Sequence, residues 1–113
     1  MHIQNKTRST TLAQSASLAR NFFERTHGLL GKKELFPGEA LVIPQCPAIH
    51  MFFMRFPIDV VFVDKAYKVV GLVKSIKPFQ LSRIFLKAYF AIELKAGTID
   101  ATGTKIGDLL NLE

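Results

Sequence analysis

The sequence predicts a mainly β fold: one compact barrel or sandwich spanning residues 1–113, with a single α-helix packed on it. Three observations lead there. Most of the chain reads as short apolar runs punctuated by Pro, Gly or charged turns, a pattern of many short strands. One stretch only, beginning near Leu18 and ending before Gly28, carries a helical apolar stripe. The most apolar run, Ile58-Asp59-Val60-Val61-Phe62-Val63, is apolar on both faces at period two apart from Asp59, as in a strand covered on both sides.

Taken in order, residues 2–7 and 9–14 form an opening hairpin around Arg8-Ser9. Ser15 or Ser17 can cap the helix. Leu18, Ala19, Phe22 and Phe23 form its buried stripe, with Arg20 and Glu24 in water, and Gly28 supplies the left-handed C′ position. Pro37-Gly38 marks a turn, and Ala40-Leu41-Val42-Ile43 is a short strand stopped by Pro44. Strands follow at about 49–55 and 58–64, joined through Pro57, so that the second has neighbours on each side. A tight turn over Asp64-Lys65-Ala66 leads to a strand over 67–73. Residues 74–88 read as a loop, Tyr89–Lys95 as a strand, 98–102 as a turn of helix, and Leu109–Leu112 as the strand that closes the sheet.

Composition narrows the function classes. At 49% hydrophobic and 21% charged residues the chain is globular, not disordered. Cys46 is the lone cysteine, so no internal disulfide forms. The first residues lack the apolar core of a signal peptide, and no run approaches a membrane span, so a cytoplasmic protein with no membrane contact is expected. The net charge of +6 is concentrated between Lys65 and Lys95, where Glu93 is the only acid after Asp64. That excess favours anionic partners. Weak, salt-sensitive nucleic-acid binding is one expectation and a protein partner another; a merely solvated face is the plainer alternative.

The run from His50 through Phe52-Phe53-Met54-Arg55, Pro57-Ile58-Asp59 and Phe62 to Asp64 resembles the signature of the family named domain of unknown function 192. Arg25 with Gly28-Leu29-Leu30 resembles that family's Arg-x-x-Gly-Leu-Met/Leu element, and Ile92-Glu93-Leu94 with Gly97 its Leu-Glu-Leu-x-x-Gly element. Gly107-Asp108 resembles the closing Gly-Asp. The resemblance spans roughly residues 20 to 110. It implies the fold rather than an activity, and the family's Asp-Gly type turn is replaced here by Asp64-Lys65-Ala66.

Several residues could carry chemistry. Asp59 and Glu93 each interrupt an apolar strand, and two carboxylates in apolar settings could form the general acid/base pair of a hydrolase. Alternatively each is structural, pairing with Arg25 or Arg55 or capping backbone N–H groups. A small polar or anionic ligand would then bind in a pocket lined by Arg25, His50, Arg55, Asp59 and Glu93. Cys46 and His50, separated by three residues, make a weaker nucleophile–base candidate for a hydrolase, and Asp108 is a secondary site candidate. The His and Cys residues are too dispersed for a metal site, and no cofactor motif occurs. The loop Lys77–Lys87 interleaves basic, aromatic and aliphatic side chains; exposed, it meets a partner, and folded inward, Phe79 and Phe85 cover the core.

Overall fold

The structure, a computed structural model, describes residues 1–19, 35–49, 51 and 56–113. Among the described residues two sheets pack face to face. The smaller has the order β2-β1-β8, with β1 Ile3–Asn5, β2 Thr10–Ala13 and β8 Leu110–Leu112, all antiparallel. The larger has the order β3-β4-β7-β5-β6, built from β3 Ser15–Leu18, β4 Glu39–Pro44, β5 Ile58–Val63, β6 Val69–Ile76 and β7 Phe90–Lys95. A short helix, α1 (Thr98–Thr102), follows β7. The sandwich half of the expectation is met; the described strands do not close into a barrel.

Period-two alternation divides the core between the two faces of the large sheet. Val42, Val61, Val63, Ile92 and Leu94 point at Ile3, Leu12 and Leu110 of the small sheet, with Ile99 of α1 joining them. Ile43, Ile58, Val60, Phe62 and Ala91 point the other way, against Ala19, Leu35, Ile49 and Met51. All six residues of β5 are consequently buried, with β7 on one side and β6 on the other. The chain's most apolar run is thus covered on both faces and both edges.

Three expectations need correction. Ser15–Leu18 does not cap or begin a helix: it forms β3, parallel to β4, and Ala19 N–H continues the ladder to Val42 O (2.9 Å). The local capping preference of serine yields here to a ladder of backbone hydrogen bonds. Leu18 is therefore exposed on the strand rather than docked by a helix. The remainder of the expected helix, with Gly28, lies outside the described residues, as does most of the expected strand over 49–55. Residues 74–76, read as loop, extend β6. Lys74 and Ser75 look loop-like because they lie exposed at the end of a sheet-edge strand, where polar side chains cost nothing.

The turn from β5 to β6 works without an Asp-Gly pair. Asp64 Oδ1 accepts the N–H groups of Ala66 (2.9 Å) and Lys68 (3.0 Å), and Tyr67 takes the positive φ of 63°. An aspartate bonding to backbone two residues on is a standard way to hold such a turn.

Candidate functional site

Asp59 lies on the face of β5 that looks at the small sheet, and it is almost wholly buried. Its Oδ1 accepts the N–H of Ser75 (2.9 Å), where β6 breaks register with β5 and the backbone turns to a φ of 49°. Its Oδ2 accepts the N–H groups of Gly97 (3.1 Å) and Ile99 (2.9 Å) at the start of α1. Gly97, needed there for its φ of 96°, has no side chain to cap the helix, so Asp59 supplies the capping oxygen from a neighbouring strand. One carboxylate thereby joins β5, the end of β6 and α1. Three backbone donors take most of its lone-pair capacity, which leaves little for substrate chemistry.

Glu93 does not share that site. The register pairs Asp59 with Leu94 and Val60 with Glu93, so the two carboxylates project from opposite faces of the large sheet. An acid/base pair, or one pocket lined by both, is excluded by this geometry; period-two alternation converts a one-residue offset into a change of face. Glu93 shares its face with Val60 and Leu41, and no hydrogen bond or ion pair reaches its carboxyl among the described residues. Burial without a partner pushes its pKa up to about 7. The folded state therefore holds a proton that the unfolded chain releases near 4.5. Stability should fall as pH rises from about 4.5 to about 7, by about 3 kcal/mol in all, and stay level above. Glu93→Gln should flatten this profile and stabilise the protein at pH 8, as read from urea unfolding at a series of pH values.

Asp108 anchors a second buried polar group. It accepts from Asn5 Nδ2 (2.9 Å), Arg8 Nε (3.1 Å) and Lys105 N–H (2.9 Å). Thr104 Oγ1 meets both Asn5 and Thr102. Burial alone would raise the Asp108 pKa, but the Arg8, Asn5 and Lys105 donors outweigh it and hold the carboxyl down at about 2. The stability this lends is present above the ordinary carboxylate value of 3.8 and is lost as pH falls through about 2. Asn5, Arg8 and Thr104 tie the opening hairpin to the final turn; no motif in the sequence pointed to them, because their partners lie about 100 positions away.

Cys46 sits half-buried, its Sγ donating to Ala48 O at 3.1 Å and its N–H to Tyr89 O at 3.0 Å. His50, Arg25 and Arg55 lie outside the described residues. Among the described residues no three His, Cys, Asp or Glu side chains cluster as metal ligands, and no helix is long and apolar enough to cross a membrane.

The segment following β6, here termed the arm (residues 77–88), is held in two ways. Its backbone pairs with Pro47, Ile49 and Met51: Met51 N–H donates to Gln80 O (2.9 Å), Phe79 N–H to Met51 O (2.7 Å), Ser82 N–H to Ile49 O (2.8 Å) and Phe85 N–H to Pro47 O (2.9 Å). Phe85 then turns inward and stacks on Phe62, centroids 4.5 Å apart. The ring lies directly over Gly71, where an added Cβ would come within 2.3 Å of it. Gly71→Ala should displace the ring and destabilise by about 1–3 kcal/mol, measurable by urea unfolding. The arm is thus neither wholly lid nor wholly exposed: Phe85 covers the core, whereas Leu81, Ile84 and Leu86 point into water at 66%, 63% and 91% exposure, and Phe79 is also exposed. Lys77, Arg83 and Lys87 stand between them, all exposed. Of the remaining basic residues, Lys74 pairs with Asp100 (2.7 Å) and Lys65 lies over the Tyr89 ring (5.2 Å).

Comparison with known proteins gives one consistent result. The model of the family DUF192, described as "Uncharacterized ACR", matches residues 3–112. A UPF0127 protein of Thermococcus sibiricus is 32% identical over 113 residues, covering 96% of this chain and 73% of the relative. A UPF0127 protein of Pyrococcus horikoshii is 31% identical over 112 residues and covers 94% of both chains. A crystal structure of a protein of unknown function from Novosphingobium aromaticivorans has the same fold, with a TM-score of 0.82 at 19% identity over 98% of this chain and 82% of that one.

Proposed function

For a chain that belongs to the DUF192 family, we propose a docking role: a binding module that meets a protein partner through the arm. The observation behind this reading is the exposure of Leu81, Ile84 and Leu86 on one short segment whose backbone is fixed to Pro47, Ile49 and Met51. Exposed aliphatic side chains grouped on a held segment favour a partner surface over solvent. Lys77, Arg83 and Lys87 around them favour an acidic partner over a neutral one. The aliphatic character of the tips favours protein over nucleic acid, which is met mainly by stacking aromatic rings and phosphate contacts. Asp59 and Asp108, each occupied by several donors, serve the fold in this reading, and catalysis is assigned to neither.

Photo-crosslinking tests it. A photoreactive residue placed at position 86 in the source cells should give discrete protein adducts, reduced when Leu81 and Ile84 are replaced by Ser. The same residue placed at Thr11, on the edge strand β2 of the small sheet, should give none of these adducts. Nucleic-acid adducts from position 86, or the same adducts from both positions, would contradict the reading.

A further inference from the structure

Building on the docking reading, we propose that the partner contributes an extended, acidic segment that lies along β6, across two grooves sharing Arg83. β6 ends the order of the large sheet. Its first residue is covered by the C-terminal turn, with Val69 N–H donating to Asp108 O and Gly107 N–H to Val69 O. Beyond Val69 no strand pairs with its outer edge among the described residues. A strand edge left open in this way is where an extended peptide adds.

The arm turns that edge into a channel. One groove, of about 440 Å³, is lined by Val73, Lys74, Ser75 and Ile76 of β6 and by residues 80–83 of the arm. A second, of about 250 Å³, is lined by Val70 and residues 83–87. From Val70 to Ile76 the strand offers roughly 20 Å, room for about six extended residues. The charge of the channel selects the occupant. Arg83 lines both grooves, its guanidinium held 5.2 Å above the Phe85 ring, and no carboxylate pairs with it among the described residues. Lys74 and Lys87 line one groove each; Lys74 is paired with Asp100, and Asp59, the other carboxylate near it, is buried and already held by three backbone N–H groups, one of them that of Ser75. Val70, Val73, Leu81, Ile84 and Leu86 supply apolar walls between these cations. A segment alternating acidic and aliphatic residues matches both features, because successive side chains of an extended chain point to opposite sides.

The test uses a synthetic ten-residue peptide alternating Glu and Val, titrated into the ¹⁵N-labelled full chain at low and physiological salt. The expected result is amide shifts in both β6 (70–76) and the arm (80–87), with affinity falling as salt rises. Arg83→Glu should lower the affinity at least tenfold, and a Lys–Val peptide should not bind. Shifts confined to the arm tips, with β6 unmoved, would overturn the groove assignment while leaving the docking role of the arm intact. No binding at low salt would overturn the acidic-segment proposal, leaving the docking role to the crosslinking result. Equal shifts with an oligothymidine would replace peptide recognition with general anion binding and overturn the proposal as well.

Discussion

Asp59→Ala should lose about 3–5 kcal/mol of stability, because it strips the acceptor from three backbone N–H groups at once and leaves them without a partner. The effect should be spread over three places in the chain: Ser75 at the end of β6, Gly97 before α1 and Ile99 within it. Hydrogen exchange should show this directly, with the amides of Ser75, Gly97 and Ile99 exchanging faster than those of β1 and β8. Asp59→Asn keeps one carbonyl oxygen and should lose less, about 2 kcal/mol, since its NH₂ group would face donors. Neither variant should alter crosslinking from position 86 at temperatures where it remains folded. Loss of binding in a folded Asp59→Asn protein would mean that the carboxylate does something beyond holding backbone.

Phe62→Ala should cost about 3–5 kcal/mol in urea unfolding. Phe62 is fully buried, and its ring supports Phe85, which stacks on it from the arm. The substitution should thus act twice, opening a cavity beneath the sheet and removing the platform of the arm. Gly71→Ala presses on the same Phe85 ring from the neighbouring strand, so the two changes should be non-additive in a double-mutant cycle. A loss below about 1 kcal/mol for Phe62→Ala would say that the run around it is not the packing centre of the sheet.

How far the sequence revealed this architecture depended on the range of the interactions. Ile58–Val63 was legible because burial on both faces leaves an apolar run that one strand displays by itself. The requirement that Asp59 find donors was legible for the same reason, and the donors proved to be backbone. Its separation from Glu93 was not legible, since the face of a strand follows from register, and register belongs to the pair β5–β7 rather than to either strand. β3 was not legible, because Ser15 and Ser17 suit the cap of a helix beginning near Leu18 and only parallel pairing with β4 decides otherwise. The Asn5–Arg8–Asp108 group joins opposite ends of the chain and left no local trace. The arm was legible in composition but not in orientation: Phe79 and Phe85 occur in similar surroundings, yet one ring is exposed and the other stacks on Phe62.

Phe85 covers the core, whereas Leu81, Ile84 and Leu86 are exposed and, in the docking proposal, meet a partner. Equilibrium unfolding in urea of the triple variant Leu81→Ser/Ile84→Ser/Leu86→Ser tests that division most directly. If the three side chains serve only docking, the unfolding free energy should remain within about 0.5 kcal/mol of the parent, as for surface substitutions generally, while Phe62→Ala falls by several. A loss of about 2 kcal/mol or more in the triple variant would place these residues in the core of the isolated chain and contradict the account.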